Sequence, residues 1–205
     1  MVEMPADEYT EYAPELDEQP PKPRYHVTEL NYCPYYYLVK PRVPELAIGE
    51  EAHRLVRERL VQWGYQTEHP IVLRFQDFDI VGIVDGVSFT RREIIEVKSM
   101  NVHRDHIRQL LVYVAMFKRK YGGDWTPILG VYKLKKTEDG YMLERFELNY
   151  IFYSEEDVEK AYNEILYRAS LYTRSGEPPR FKCCYCDRCP ERNTCPALHG
   201  GDEKR

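Results

Sequence analysis

No apolar run in these 205 residues approaches the length of a membrane-spanning helix, and no hydrophobic segment opens the chain. The expectation is a cytoplasmic protein with no membrane partner, in which a secretory disulfide framework is the minority reading of its six cysteines. No internal repeat is present, which excludes a repeat array. Asn and Gln are scarce beside 29 Lys and Arg and 34 Asp and Glu, a balance that fits a heat-adapted composition. A basic excess is missing too, and the formal charge of −5 argues at first against a nucleic-acid partner. That charge is localised, however. Residues 1–24, acidic and proline-rich, account for all of it, so the remainder is neutral and the first stretch reads as a flexible tail.

On the neutral body bases gather at Arg91-Arg92, Arg104 and Arg108, Lys118-Arg119-Lys120, and Lys133 with Lys135-Lys136. Such groups either grip phosphates or form a solvated charged surface. Eighteen tyrosines, several of them around Cys33 (Tyr32, Tyr35, Tyr36, Tyr37), either stack on exposed bases or pack among themselves.

Two consecutive runs have the alternation of strands, FDIVGIVDGVSF over 78–89 and EIIEVKS over 93–99. Successive strand side chains face opposite ways, so Glu96 and Lys98 share one face while Ile95 and Val97 enter an apolar layer. With Asp85 from the neighbouring run, two carboxylates and an amine are expected to meet. A hydrolytic magnesium or manganese site needs that set: hard oxygen ligands, and a cation to position the attacking water. The plainer alternatives are a hairpin turn at Asp85-Gly86 and a solvated edge strand bearing Glu96 and Lys98.

Residues 49–63 read as a helix whose inward side carries Gly49, His53, Val56 and Leu60. His53 is then either a satisfied core histidine or a further metal ligand. A second helix over 103–120 buries Ile107, Leu110, Leu111, Val114 and Phe117, with Gln109 and Tyr113 one turn apart on its flank. Strands over 127–134 and 141–150, separated by a turn at Glu138-Asp139-Gly140, complete a mixed sheet. Ser154 with Asp157 reads as the cap of a last helix over 155–173, buried through Val158, Ala161, Ile165, Ala169 and Tyr172. The stretch 175–179 ends it.

Five of the six cysteines crowd into CCYCDRCPERNTC, and Cys33 stands alone near the other end. Cys186, Cys189 and Cys195 with Cys33 supply four thiolates, enough for a structural zinc or an iron-sulfur cluster. Cys33, Cys189 and Cys195 each precede a proline, which favours the cluster, with zinc the rival. Cys183 and Cys184 are spare thiols or substitute ligands. A centre shared by both ends of the chain would clip the domain closed.

The order His53, Asp85, Glu96-Val97-Lys98, Gln109-x-x-x-Tyr113 resembles the RecB-like branch of the PD-(D/E)XK nuclease superfamily. The resemblance implies an α/β fold with a restriction-endonuclease-like core, a central mixed β-sheet flanked by helices. It also implies that His53, Asp85, Glu96 and the Val97 carbonyl hold a Mg2+ or Mn2+ ion, that Lys98 orients or activates the nucleophilic water, and that Gln109 and Tyr113 support Lys98 and the substrate backbone. With its flanking cysteines the chain is similar, over about residues 25–198, to CRISPR-associated iron-sulfur exonucleases of the Cas-four type. Nuclease domains of the bacterial AddAB complex and of a eukaryotic flap-trimming nuclease-helicase share that arrangement within longer chains. The likeness implies a metal-dependent DNA exonuclease acting on single strands, 5′ to 3′, preparing spacers beside the CRISPR integrase proteins. Its cofactor would be an iron-sulfur cluster, [4Fe-4S] expected and [2Fe-2S] possible, joining the N- and C-terminal segments.

The expected division is a tail over 1–24, a nuclease core over 25–174 and a cysteine-rich segment over 175–205. Two other readings share these residues: a non-catalytic DNA-binding or assembly module braced by a metal centre, and a repair nuclease outside CRISPR.

Overall fold

The β-branched and alternating runs form strands, and the residues with a 3.6 period form helices that cover them. A computed structural model describes residues 22–40, 45–99, 101–138 and 140–199. In chain order the elements are β1 (Arg24–His26), α1 (Val27–Asn31), α2 (Pro34–Val39), α3 (Glu45–Gln62), β2 (Gln66–Arg74), β3 (Asp79–Ser88) and β4 (Glu93–Ser99). They continue with α4 (Arg104–Tyr121), β5 (Thr126–Thr137), β6 (Gly140–Tyr150) and α5 (Glu155–Ser175). The cysteine segment has two 3-10 turns, Cys186–Arg188 and Arg192–Thr194, and the short α6 (Pro196–His199).

The strands make one six-stranded mixed sheet in the order β1-β3-β4-β5-β6, with β2 on the other edge of β3. Pairing is parallel for β1 with β3 and β4 with β5, and antiparallel elsewhere. β2 runs along β3 from Asp79 to Val87. On the opposite edge, β1 takes residues 79–81 and β4 takes residues 86–88. Residues 82–85 therefore sit in a fork between two neighbouring strands, and Asp85 is the last of them.

Helix α4 lies between the sheet and α5 and is buried almost all round, from His106 to Phe117. Its expected stripe joins the large cluster built on Leu30, Ile80, Val84, Ile94 and Ile165. On the other face α3 packs Val56 and Leu60 against Ile95, Val97 and Ile128. Helix α5 starts at Ser154, whose backbone N–H donates to Asp157 and whose hydroxyl accepts the Asp157 N–H. It stops at Gly176, which adopts the left-handed conformation at φ 69°.

The structure departs from the sequence reading in three places. Asp85-Gly86 is no hairpin turn, since both residues lie within β3 and the chain reverses at 89–92. Ordered pairing already begins at Arg24, in a strand too short to show a periodicity, while residues 1–21 of the expected tail lie outside the described residues. The helical element around Cys33 is two short helices, with Cys33 extended between them and Pro34 opening the second.

Candidate active site

Where β3 and β4 part, Asp85 continues the ladder with its side chain. Its Oδ2 accepts the Val97 N–H at 2.6 Å, and its Oδ1 lies 3.5 Å from His53 Nδ1 on α3. Glu96, one residue along, is 3 % exposed and holds the Lys98 ammonium with Oε1 at 2.5 Å. The predicted acid pair, the lysine and the histidine are thus brought to one end of the fork. Glu96 and Lys98 lie on the α4 side of β4, and Ile95 and Val97 point to α3 as the alternation requires.

The electrostatics follow from burial. Desolvation pushes the Glu96 carboxyl above its usual range, and Asp85 adds to the push against the pull of Lys98 and His53. Burial alone would depress Lys98, but Glu96 and Asp85 outweigh it and keep the ammonium charged above its ordinary range. Lys98 is thus held as the cationic partner of Glu96. The contact with Asp85 raises His53, against the opposing effect of burial. His53 faces Asp85 as expected, but its side chain is 43 % exposed, a rim position and not a core one.

Gln109 and Tyr113 are the main correction to the sequence reading. They are not on a helix flank: both are fully buried, and Gln109 Nε2 donates to the Tyr113 hydroxyl at 3.1 Å and to the Thr28 hydroxyl at 3.2 Å. The Tyr32 hydroxyl donates to Gln109 Oε1 at 3.0 Å, so the amide is held at both ends. Tyr113 in turn lies over Gly82. A Cβ there would come within 2.7 Å of the Tyr113 ring, so the strand needs glycine for the ring to pack at the fork. Sequence reasoning missed Thr28 and Gly82, and read Tyr32 only as a stacking or packing residue. An isolated glycine inside a strand pattern was the one available signal.

Oε2 of Glu96 is buried with no hydrogen-bond partner among the described residues. A carboxylate oxygen so placed, beside Asp85 and an imidazole, fits a hard divalent cation. Among the described residues, however, no three His, Cys, Asp or Glu side chains are drawn into a closed ligand set.

The cysteines line a second cavity. Cys33, Cys186, Cys189 and Cys195, the four expected together, share it with Cys183. Cys184 turns the other way, with its N–H on Asp105 Oδ2 at 2.8 Å. Main-chain N–H groups of Phe181 and Cys183 point at the sulfurs of Cys33 and Cys186, and no described cysteine is in a disulfide. The cysteines share this small cavity, but among the described residues no three of them are drawn into a closed ligand set. Burial pushes Cys183 and Cys184 up to about 12. Tyr36 stacks on Tyr185 of the cysteine segment, Tyr32 packs against the same ring at a tilt, and the Arg180 guanidinium lies 3.6 Å over the Tyr35 ring, so this tyrosine group packs the segment around Cys33 against the cysteine segment.

Several expected phosphate-binding bases are engaged elsewhere. Arg91 pairs with Glu93, Arg108 with Asp105 and Glu164, Lys118 with Asp124 and Glu155, Arg119 with Glu159, and Lys133 with Glu144. No helix among the described residues is long and apolar enough to cross a membrane.

The chain has no match among curated proteins. Among solved structures, SSO0001 is similar to it over 89 % of this chain and 91 % of that one, with a TM-score of 0.59 and 19 % identity, a likeness of fold. An exonuclease candidate from Eubacterium rectale aligns with a TM-score of 0.42 and 14 % identity over 77 % of this chain and 60 % of that one. The family model of the PD-(D/E)XK nuclease superfamily matches residues 4–196, which span the fork, its acid pair and the cysteine segment. The chain belongs to the PD-(D/E)XK nuclease superfamily.

Proposed function

We propose that the protein is a metal-dependent nuclease that hydrolyses phosphodiester bonds in DNA at the fork between β3 and β4. The observation that carries this is the buried Glu96 carboxylate, whose Oε1 holds a charged Lys98 and whose Oε2 is left without a protein partner among the described residues. Asp85, Glu96, His53 and the Val97 carbonyl would hold a Mg2+ or Mn2+ ion. Such an ion, when bound, lowers the pKa of a coordinated water and neutralises charge on the scissile phosphate. Lys98 donates to the attacking water or to a phosphate oxygen and balances charge that develops in the in-line displacement. Gln109 and Tyr113 keep the floor of the site fixed through Thr28 and Tyr32.

The finer reading is an exonuclease on single-stranded DNA, working 5′ to 3′ on spacer precursors with the CRISPR integrase proteins, and carrying an iron-sulfur cluster. Its support is the joint pattern of the nuclease motifs with Cys33, Cys186, Cys189 and Cys195, and the shared cavity of those four thiols. Zinc in that cavity is the competing occupant. The test is cleavage of end-labelled single-stranded and duplex DNA with Mg2+ or Mn2+, with and without EDTA. The product ladder reads polarity and strand preference, and cleavage that persists in EDTA contradicts the proposal. A visible absorption spectrum with elemental analysis of anaerobically purified protein reads the cavity: colour with iron and sulfide supports the cluster, and colourless protein with stoichiometric zinc overturns it.

A further inference from the structure

A cleft of about 470 Å³ opens between α1, α2 and α5, with Thr28 in its lining. That volume is within the roughly 300–1,000 Å³ of small-ligand sites. We infer that this cleft is a subsite for one unstacked base of a single-stranded DNA substrate, an inference that rests on the nuclease reading and adds where the strand is gripped. Its walls suit a base. Tyr37 and Tyr172 supply aromatic surface, and Pro34 and Leu38 supply apolar surface. Leu38 is 69 % exposed, an apolar side chain standing at the mouth.

The polar lining distinguishes a base from a phosphate. His26, Thr28 and Glu29 are the polar residues of the cleft, and neither lysine nor arginine lines it among the described residues. A phosphate pushed into it would meet the Glu29 carboxylate without a guanidinium or ammonium to offset the repulsion. A base offers amino and imino donors to that carboxylate, and an aromatic face to Tyr172. The cation belongs at the margin: Lys40 holds its ammonium 4.2 Å over the Tyr37 ring, beside the cleft, where a backbone phosphate would pass.

The cleft shares a wall with the catalytic motif. Thr28 lines it and accepts the Gln109 amide at 3.2 Å, and the same amide donates to Tyr113, next to the Glu96–Lys98 pair. Tyr37 stacks at 6.5 Å on Tyr32, the other partner of Gln109. A base seated against Tyr172 is thus linked to the motif through Thr28 and the Gln109 amide. Its seating fixes the strand register relative to Asp85 and Glu96, which is the positioning that an exonuclease needs.

The test is an abasic scan. Single-stranded oligonucleotides, intact or with one abasic site at successive positions, are bound to the full chain with Ca2+ replacing Mg2+, and affinity is read by fluorescence anisotropy. Wild type is expected to lose about tenfold in affinity at one position, the scale of a lost base–aromatic stack. Leu38→Trp, an exposed substitution that fills the mouth, should weaken the intact oligonucleotide about tenfold and remove the position-specific penalty. Glu29→Gln should change which base is preferred at that position and leave the others unaffected. A flat scan in wild type, or intact binding unchanged in Leu38→Trp, overturns the subsite while the nuclease reading stands. No binding of any oligonucleotide by wild type overturns both.

Discussion

The Asp85 carboxylate accepts the Val97 main-chain N–H at 2.6 Å, where the ladder between β3 and β4 ends at Gly86 and Ile95. The residue expected to carry chemistry therefore also holds the fork open and in register. Asp85→Ala should lose stability as well as activity, by about 1–3 kcal/mol for a charge-assisted hydrogen bond from the buried Val97. Asp85→Asn keeps an oxygen acceptor and should recover most of that loss without recovering cleavage. Urea unfolding of the two variants measures it, and equal midpoints for wild type and Asp85→Ala would remove the structural role.

Gly82 tests the packing of Tyr113. A methyl group there meets the Tyr113 ring at 2.7 Å and Ile71 at 3.0 Å, and both neighbours are buried. Gly82→Ala should cost about 1–3 kcal/mol through overpacking and displace Tyr113 from Gln109. Thermal unfolding reads the first effect. A Tyr113→Phe background, in which the displaced hydroxyl no longer exists, should retain the stability loss, because the clash is with the ring.

Arg168 is buried at 4 % exposure and donates to the carbonyls of Leu30, Asn31 and Tyr32, with Glu164 beside it. It closes the C-terminal end of α1 and stacks 4.2 Å from the Phe181 ring of the cysteine segment. Arg168→Met leaves three carbonyls and a carboxylate without this donor, and should cost about 3 kcal/mol or more. Hydrogen exchange should rise over α1 and the segment after Pro179 before it rises in the sheet. Uniform loss of protection would contradict this division of labour.

Much of this site is legible in the sequence because its spacing is local. Asp85, Glu96 and Lys98 follow from strand alternation, and Gln109 and Tyr113 from one helical turn. The part that is not legible is tertiary. The three residues of β1 have no periodicity to read, and their pairing with β3 depends on a chain segment more than fifty residues away. The burial of Gln109 follows from α1 and Tyr32 arriving from the other end of the chain. Cys183 and Cys184 are adjacent in sequence and go opposite ways, one into the thiol cavity and one to Asp105, which a count of cysteines cannot sort. Half of the bases read as phosphate grips, Arg91, Arg108, Lys118, Arg119 and Lys133, are paired with acids, most of them on other elements.

His106 gives a pH signature. Burial pushes its imidazole down to about 4, with Lys98 and His103 adding to the effect, and its Nδ1 accepts the His103 N–H at 3.2 Å, which requires a neutral ring. A base depressed in the folded state binds its proton first in the unfolded chain. Stability from this group is therefore complete above about pH 6.5 and declines as pH falls toward 4, by up to about 3 kcal/mol. His106→Gln keeps an acceptor and cannot titrate. The difference in unfolding free energy between wild type and this variant should change across that window and be flat above it; a difference independent of pH contradicts the assignment.

The centre as a whole is tested most directly by one comparison: Mn2+-supported cleavage of a single-stranded oligonucleotide by wild type and by Glu96→Gln, with circular dichroism and melting curves of both. Glu96→Gln keeps the shape of the side chain and removes the anion that faces Lys98. The predicted result is EDTA-sensitive cleavage by wild type and a rate lower by about 10³-fold or more in the variant, with the fold intact. Equal cleavage by the two proteins would contradict a hydrolytic centre built on Glu96.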